Sequence, residues 1–286
     1  MTDFKYIKSK STIKLKDFFL TEEEFELFEN KKYGFLETHP QPVELEQYYD
    51  SKNYISHTDS KNSWFEKVYQ LVKNHNISYK FNKLKVEKKE ASLLDFGCGT
   101  GDFLAYTKNR NLNVIGIEPN ENARHIAVKK LGENSVSNKK LSEINGQFDY
   151  ITLWHVLEHL PDLFDFIDQL KTKLKDDGVL MIAVPNHRSF DAQFYKEHWA
   201  AYDVPRHLWH FSPESMQKLF NSFGMKIEKT HPLWFDSYYV SMLSERYKNN
   251  PFGILRAILV ASTSNFLGLF TGNYSSVIYR ITKNQK

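Results

Sequence analysis

Residues 93–102 read Leu-Leu-Asp-Phe-Gly-Cys-Gly-Thr-Gly-Asp and decide the fold of this chain. A short apolar run breaks here into a turn with glycine at alternate positions, Gly97, Gly99 and Gly101. Glycine has no Cβ, so it adopts positive φ angles and lets the backbone approach a ligand closely. Asp95 precedes the turn, and a carboxylate there suits a positively charged ligand group better than a pyrophosphate. The stretch therefore predicts a buried strand, a glycine turn and a helix, with a ligand at the carboxyl end of the strand.

The spacing of the glycines separates two kinds of nucleotide site. A dinucleotide fingerprint, G-x-G-x-x-G, would place its third glycine at position 102, where this chain has Asp102. The spacing found, G-x-G-x-G after an acid, resembles motif I of the class I S-adenosylmethionine-dependent methyltransferases. This resemblance implies that the three glycines wrap the methionine moiety of the cofactor.

Composition excludes several classes of protein. The 286 residues suffice for a sizeable core, and a net charge of +3 is too small to indicate nucleic acid by itself. Cys98 is the only cysteine, which excludes an internal disulfide and a thiolate zinc cluster and fits a reducing cytoplasm. No secretory signal is apparent at the N-terminus. The sequence contains no uninterrupted run of about 18 apolar residues, so no membrane-spanning helix is predicted. We therefore expect a cytoplasmic protein.

From Asp95 onward, strand-like and helix-like segments alternate. Apolar or β-branched runs predict the strands, and helical periodicity or capping residues predict the helices between them. This repetition predicts a parallel sheet with right-handed crossovers. The later predicted strands are Leu112–Glu118, Gln147–Trp154, Val179–Val184, Met225–Thr230 and Ser276–Thr282, and the predicted helices are Glu121–Leu131, 161–175 and the one that Ser212 caps.

The remainder of the chain departs from this rhythm. Residues 1–60 are expected to form an aromatic-rich lead or cap segment, and 61–286 the main domain, with a cofactor half at 91–185. Residues 186–211 are dense in aromatics and histidines and too long for a plain loop, which predicts a substrate-covering insertion. A mostly helical excursion is expected at 237–270.

An acid ends the second predicted strand. Glu118 lies at the same edge as the glycine turn, where its carboxylate can accept both hydroxyls of a ribose. Each hydrogen bond to a charged group contributes about 1.5–3 kcal/mol, so this contact would supply much of the affinity. Because NAD-binding domains use the same arrangement, Glu118 supports an adenosyl cofactor without choosing which one.

Two later blocks favour one cofactor. Residues 148–162 (Phe-Asp-Tyr-Ile-Thr-Leu-Trp-His-Val-Leu-Glu-His-Leu-Pro-Asp) and 178–186 (Gly-Val-Leu-Met-Ile-Ala-Val-Pro-Asn) resemble the fourth- and fifth-strand segments of the same methyltransferases. The order along the chain of the glycine turn, the acid-ended strand and these two blocks is similar to that in one branch of the methyltransferases. That branch acts on small molecules and includes ubiquinone-type O-methyltransferases. The resemblance implies an α/β fold, a Rossmann-like seven-stranded and mostly parallel sheet with helices on both faces and an antiparallel last strand. It also implies S-adenosyl-L-methionine as cofactor and a small-molecule acceptor, with oxygen as the expected methylated atom.

The resemblance assigns the cofactor contacts as well. Relatives commonly place an acid or small polar residue after the third strand to meet the adenine amino group, and Ser137 or Asn138 stands there in this chain. Cys98 is expected to pack inside the turn and not to act as a nucleophile. The expected cofactor-binding residues are Asp95, Gly97, Cys98, Gly99, Gly101, Asp102, Glu118, Pro119, Asn138, Trp154 and His155.

A hydroxyl acceptor benefits from a base whose pKa is near neutrality, and histidine is the natural choice. Five histidines are candidates, and a structural hydrogen-bonding role competes with catalysis for each of them. We expect one base, and the favoured catalytic residues are His159, which lies where the fourth-strand block ends, and His207 and His210, which lie in the predicted insertion. The other two candidates are His155 and His198.

A metal site is considered and not expected. His155, Glu158 and His159 are spaced at i, i+3 and i+4, which could place them on one helical face. Some quinone-pathway O-methyltransferases hold a divalent cation near this segment, but magnesium prefers oxygen ligands and this set offers few.

Two further segments stay open. Tyr48, Tyr49 and Tyr54 follow a stretch that in relatives comes after a cysteine knuckle, and they are expected either to cap the cofactor or to pack in a core. Residues 254–270 are the most apolar stretch and predict a packed helix, with a membrane-surface patch or a dimer contact as alternatives.

Two other functions compete with methyl transfer. An NAD-dependent oxidoreductase would use the same sheet, although Asp102 at the third-glycine position counts against it. A non-catalytic cofactor-binding or scaffold protein would keep the same cofactor residues. Nucleic acid is not expected as a partner, and the sequence does not predict the oligomeric state.

Overall fold

The computed structural model describes residues 13–49 and 64–284, with side chains from residue 70 onward in the second range. These residues divide into two compact units. Unit 1 contains 13–49, 185–219 and 236–276, so the predicted lead segment, insertion and helical excursion all contribute to it. Unit 2 contains 64–184, 220–235 and 277–284.

The described residues form eleven strands and eight α-helices, numbered here in chain order. The strands are β1 (Ile13–Lys16), β2 (Glu24–Glu29), β3 (Leu36–His39), β4 (Ser92–Phe96), β5 (Asn113–Ile117), β6 (Val136–Ser137), β7 (Phe148–Trp154), β8 (Leu174–Pro185), β9 (Trp209–His210), β10 (Met225–Pro232) and β11 (Ser276–Lys283). The helices are α1 (Trp64–Leu84), α2 (Asp102–Lys108), α3 (Glu121–Leu131), α4 (Leu163–Lys173), α5 (Phe190–Tyr195), α6 (Pro213–Ser222), α7 (Asp236–Tyr247) and α8 (Gly253–Thr271).

Unit 2 is built on a seven-stranded sheet of order β10-β11-β8-β7-β4-β5-β6. The pairs β8–β7, β7–β4, β4–β5 and β5–β6 are parallel, and β10 pairs with β11 in antiparallel register. The predicted α/β fold, mostly parallel with an antiparallel last strand, is confirmed. Since the strand order changes direction around β4, the carboxyl ends of β4, β5 and β7 lie side by side.

Local sequence explains why these elements form where they do. Leu93 and Leu94 are fully buried in β4, as a strand covered on both faces requires. Helix α3 starts because the Asn120 side chain accepts a hydrogen bond from the Ala123 N–H at 3.0 Å, and it ends at Gly132, where φ is +93°. Both ends of α3 therefore fall where the sequence predicts them.

The junction of α4 and β8 differs from the prediction. The helix ends at Lys173 and the strand already begins at Leu174, whereas the sequence predicts a helix to residue 175 and a strand only from Val179. Leu174 is fully buried and pairs with Phe148 of β7, so sheet pairing and burial outweigh the turn preference of Asp177 and Gly178.

Unit 1 contains a four-stranded sheet of order β1-β2-β3-β9. Its last strand comes from the predicted insertion, and it pairs with β3 through Leu36 opposite His210. Arg206, also in the insertion, forms a buried ion pair with Asp17 at 2.8 Å. The Tyr48 hydroxyl donates to Glu23 at 2.6 Å and the ring lies in the core of unit 1, whereas Tyr54 lies outside the described residues.

Helix α8 corrects one expectation. It extends the predicted apolar stretch at both ends, to Gly253–Thr271, which makes 19 residues. Within the part of the chain that the structure describes, α8 is long and apolar enough to cross a membrane, judged by length and composition alone. Arg256 and Asn265 interrupt its apolar residues, as the sequence shows, so the structure corrects the length of the helical segment and not the absence of an uninterrupted apolar run.

Candidate functional site

The predicted cofactor residues of unit 2 gather at one edge of the seven-stranded sheet. Phe96, the last residue of β4, is in register with Ile117 of β5 and with Leu153 of β7. The glycine turn, Glu118 and the Trp154–His155 pair therefore leave the sheet side by side. In an open parallel sheet this edge is where ligands bind.

The three glycines of the turn all have positive φ angles. Two of them allow close packing within the protein, and the third leaves open space for a ligand. A Cβ on Gly97 would stand 2.5 Å from a methyl of Val156, and one on Gly101 would stand 3.0 Å from the Cβ of Ala127. These two positions need glycine because the protein packs closely against them. A Cβ on Gly99 would meet nothing within 4 Å, so Gly99 borders open space at the sheet edge, where a ligand can approach the backbone.

Glu118 connects β5 to this turn. One carboxylate oxygen accepts a hydrogen bond from the Gly99 N–H at 2.8 Å, and the other accepts from the Asn120 N–H at 2.8 Å. Burial raises the pKa of Glu118, and these two backbone donors act in the opposite direction. A carboxylate offers about four lone-pair positions, so the two N–H groups leave acceptor capacity for ligand hydroxyls.

Asp95 is fully buried at the end of β4. Its carboxylate accepts a hydrogen bond from the Thr152 hydroxyl at 2.6 Å. Burial raises the pKa of Asp95 to about 7, although the Thr152 hydrogen bond and the charge of Lys80 act to lower it. A positively charged ligand beside this group would favour its ionised form.

The carboxylate of Asp102 is already used by the protein. It forms ion pairs at 2.8 Å with Lys73 of α1 and with Lys130 of α3, and the Thr100 hydroxyl donates to it at 2.7 Å. Burial acts to raise the pKa of Asp102, but the lysine hydrogen bonds outweigh it and lower the pKa to about 2. These contacts tie three helices together, so Asp102 has a structural function, and its role in cofactor binding stays a prediction.

Cys98 lies in the core of unit 2, and burial raises the pKa of its thiol. A thiol held in its neutral form is a poor nucleophile, in agreement with the expected packing role. Its neighbour Gly116 is not among the predicted site residues, yet a Cβ there would stand 2.5 Å from Leu104 and 2.8 Å from the Cys98 sulfur. A glycine inside the β-branched run of β5 was the available signal, since it marks a close approach.

Trp154 and His155 end β7. The Trp154 ring packs edge-on against Phe103 with centroids 5.2 Å apart, and its indole Nε1 is buried without a hydrogen-bond partner among the described residues. His155 has a φ of +58°, which costs energy in a residue with a Cβ and is typical of functional sites. Its Nδ1 lies 3.3 Å from a carboxylate oxygen of the buried Glu158.

Pro119 and Asn138 lie at the same edge, directly after β5 and β6, and both are exposed. The Pro119 carbonyl accepts a hydrogen bond from Arg124 at 2.8 Å. The structure places both residues where a cofactor could reach them, and their binding roles stay predictions.

The predicted bases fall in both units. His159 belongs to unit 2, at the end of the short 3₁₀ helix Leu157–His159 that follows β7, and it is half-buried. His207 belongs to unit 1, and its Nδ1 lies 2.9 Å from the Ala201 carbonyl. His198, the weaker candidate in the insertion, stacks on Phe18.

His210 has the contacts of a structural histidine. The Thr38 hydroxyl donates its single proton to the His207 carbonyl at 2.7 Å, so it must accept from His210 Nε2 at 2.9 Å. His210 is buried, and burial lowers its pKa well below the ordinary value. Because Nε2 already carries a proton that is hydrogen-bonded within the protein, we leave His210 out of the proposed mechanism.

Known proteins resemble this chain in sequence and in fold. A family profile described as a methyltransferase domain matches residues 62–230. The ubiquinone biosynthesis O-methyltransferase of Rhodopseudomonas palustris is 25% identical over 186 residues, covering 60% of this chain and 71% of that protein. The demethylmenaquinone methyltransferase of Lactobacillus johnsonii is 29% identical over 143 residues, covering 46% of this chain and 53% of that protein. The solved structure of magnesium protoporphyrin IX methyltransferase from Synechocystis with bound S-adenosylhomocysteine (SAH) has a TM-score of 0.56 at 14% identity, covering 83% of this chain and 97% of that one.

A parallel sheet with a glycine turn and an acid after the neighbouring strand defines a Rossmann-like protein that binds a nucleoside cofactor. The chain belongs to the methyltransferase family whose profile it matches, and S-adenosyl-L-methionine is its methyl donor. The residues of unit 2 fit this cofactor. Gly99 borders open space, Glu118 beside it keeps acceptor capacity, and Asp95 is a buried acid that a cation would stabilise.

Proposed function

We propose that this methyltransferase methylates a hydroxyl oxygen of a small molecule. The observation that carries the proposal is the position of His159, in the short 3₁₀ helix that follows β7 on the sheet edge that also holds Glu118 and the glycine turn. The name of the Rhodopseudomonas palustris relative supports oxygen as the methylated atom. The names of both relatives concern quinones, which favours a quinone-type ring compound as the acceptor.

For this reaction the protein mainly has to position the cofactor and the acceptor and to supply a base for the acceptor hydroxyl. When bound, S-adenosyl-L-methionine supplies an electrophilic methyl group. In our proposal Glu118 accepts hydrogen bonds from the ribose hydroxyls, and the Asp95 carboxylate stabilises the positive charge of the cofactor. His159 takes the proton of the acceptor hydroxyl onto an imidazole nitrogen as the oxygen–carbon bond forms. Orientation of the acceptor supplies the rest of the rate enhancement, of order 7–11 kcal/mol in well-aligned systems.

The test is methyl transfer to paired acceptors. Purified protein, methyl-labelled S-adenosyl-L-methionine and either a hydroxyquinol or its amine analogue are incubated, and the product is analysed by mass spectrometry. The proposal predicts methylation of the hydroxyl compound at oxygen. Methylation of only the amine, or of a ring carbon, would overturn the assignment of oxygen.

The role of His159 has its own test. His159→Asn should lower kcat by about 10²–10⁴-fold and remove the acidic limb of the pH–rate profile, while SAH affinity is unchanged. His125→Asn is the matched control, because His125 lies exposed on α3. Wild-type kcat and an unchanged pH profile in His159→Asn would show that His159 is not the base.

We also propose a cytoplasmic location, supported by the single buried cysteine and the absence of any thiol pair. Fractionation of cells that express the full chain should recover it from the compartment that the cytoplasmic membrane encloses. Recovery outside that membrane would contradict this assignment.

A further inference from the structure

Helix α8 of unit 1 has its large apolar side chains on the face that is exposed to solvent. Most of the buried residues that face the protein are small or polar, and Val260 is the one larger apolar side chain among them; the others are Gly253, Ala257, Ala261, Ser264, Asn265 and Gly268. The exposed face carries large apolar side chains, with Leu255 and Leu259 each 68% exposed and Phe270 76% exposed. A surface helix of a soluble protein normally buries its large apolar side chains. The described residues therefore leave the outward apolar face of α8 uncovered.

Buried polar contacts fix which face points outward. On the inner side, the Ser264 hydroxyl donates to the fully buried Asp191 of α5 at 2.6 Å. Near the start of α8, Arg256 donates to both carboxylate oxygens of the buried Glu245 of α7, at 2.7 and 2.8 Å. Removing α8 from this position would leave two buried carboxylates without these partners, at a high cost. The helix is therefore held along the surface of unit 1, although its length alone would allow it to cross a membrane.

Neighbouring residues extend the apolar face and border it with positive charge. Phe252, at the start of α8, and Tyr239, on α7, are large and exposed. Arg246, in the last turn of α7, and Lys248, in the connection that follows, are both exposed. From the start of α7 to residue 275 the sequence has two acidic residues. Asp236 is half-buried at the first residue of α7, and the carboxylate of Glu245 is buried and paired. The exposed face thus combines apolar side chains with cations and has no exposed acid.

This combination favours a lipid surface over a second copy of the chain. Bilayers that contain anionic lipids offer an apolar layer beneath a negatively charged one, which matches both parts of the face. A second copy would present the same cations and no complementary acids. Exposed phenylalanines beside a cationic turn are typical of helices that lie in the membrane interface.

We propose that α7 and α8 dock this protein onto an anionic membrane surface, with α8 parallel to the bilayer and its exposed apolar face among the headgroups and upper acyl chains. This inference goes beyond the proposed function and does not depend on which atom is methylated. It gives the enzyme access to acceptors that partition into the bilayer.

Vesicle binding tests the apolar face. Purified full chain is floated with phosphatidylcholine vesicles that either contain or lack phosphatidylglycerol. Leu255→Glu/Leu259→Glu should lower the vesicle partition coefficient about tenfold or more, because these two side chains would otherwise enter the bilayer. Leu71→Glu is the matched control, since Leu71 is 69% exposed but lies on α1 of unit 2, and it should bind vesicles as the wild type does.

Binding to anionic vesicles tests the contribution of the exposed cations separately. Arg246→Glu/Lys248→Glu should lose affinity for phosphatidylglycerol vesicles and should keep the weaker affinity for phosphatidylcholine alone. The same loss should follow a rise in salt concentration for the wild type. SAH binding by each variant shows that unit 2 is folded and keeps this test independent of the proposed reaction.

A labelling experiment keeps the proposal testable if the glutamate variants fail to fold. The only native thiol, Cys98, is buried, so Leu259→Cys and Leu71→Cys can each be labelled selectively with an environment-sensitive fluorophore. The proposal predicts a blue shift on adding phosphatidylglycerol vesicles at 259 and none at 71. Absence of wild-type binding to any vesicle overturns the proposal, as does equal binding by Leu255→Glu/Leu259→Glu. A wild-type dimer that Leu255→Glu/Leu259→Glu dissociates, without vesicle binding, would assign the face to a second copy.

Discussion

The carboxylate of Glu118 accepts a hydrogen bond from the backbone N–H of Gly99 at 2.8 Å. Gly99 is the glycine of the turn whose Cβ position is open, so the acid that should hold the ribose also sets the shape of the backbone beside it. A ligand at this edge would meet a turn that is already fixed. Binding then costs less conformational entropy than ordering a free loop would.

Two glycine substitutions should separate binding from packing. Gly99→Ala adds a methyl group in open space at a φ of +54°, so we expect a stability loss of about 1–2 kcal/mol and a large loss of SAH affinity. Gly116→Ala adds a methyl group 2.5 Å from Leu104 and should cost about 1–3 kcal/mol of stability while SAH affinity is kept in the folded fraction. Urea unfolding and calorimetric titration measure both. Wild-type affinity in Gly99→Ala would show that the open space is not the cofactor position.

Glu118 should matter more for SAH than for folding. Glu118→Ala removes acceptors for the ribose hydroxyls, and we expect SAH affinity to fall by roughly 10- to 150-fold. Some thermal stability is lost as well, because Gly99 and Asn120 lose their carboxylate partner.

Asp149 provides the control for that substitution. It lies near the amino end of β7, at the opposite edge of the sheet, where it accepts from the Ser92 N–H at 2.9 Å and pairs with Lys175 at 2.8 Å. Asp149→Ala should lower the melting temperature and leave SAH affinity unchanged. Equal losses of affinity in both variants would indicate a general effect of destabilisation and not a contact with the ribose.

The fold was predictable from the sequence where a local signal and the sheet agree. The strand before the glycine turn follows from its apolar run, and helix α3 follows from its helix-like sequence over Glu121–Leu131. The early start of β8 was not predictable, because pairing of Leu174 with β7 is a tertiary effect.

The candidate site was predictable in outline and less so in its residue roles. Strand ends identified Glu118 and the turn, since parallel strands bring their carboxyl ends together. A sequence pattern does not show which side chains contact each other. The ion pairs of Asp102 with lysines and the hydrogen bond between Thr38 and His210 are therefore seen only in the structure. For the same reason the sequence could identify α8 as apolar but could not tell that its large side chains point outward.

The raised pKa of Asp95 should be visible in the pH dependence of stability. In the unfolded chain an aspartate ionises near pH 4, whereas Asp95 in the folded protein has a pKa of about 7. The folded state therefore binds more protons between these values, so Asp95 makes stability fall as pH rises from about 4 to 7. In Asp95→Asn this contribution is absent, and the drop in unfolding free energy between pH 5 and pH 7.5 should be smaller by about 1–3 kcal/mol. An identical pH dependence in both proteins, measured by urea unfolding, would contradict the assignment.

The same ionisation should be coupled to ligand binding. SAH carries an ammonium group, and a cation near Asp95 favours the carboxylate, so SAH binding near pH 6.5 should release protons and tighten as pH rises toward 8. Titrations in buffers of different ionisation enthalpy count the released protons. Proton release should disappear in Asp95→Asn, and its persistence there would assign the protons to another group.

Calorimetric titration of the full chain with SAH and, separately, with NADH tests the central claim most directly. If the edge of β4, β5 and β7 is the site for S-adenosyl-L-methionine, one SAH should bind per chain with a dissociation constant on the order of micromolar, Gly99→Ala and Glu118→Ala should weaken it, and NADH should produce no binding heat. No SAH binding at high micromolar concentrations, or binding of NADH in its place, would contradict the account.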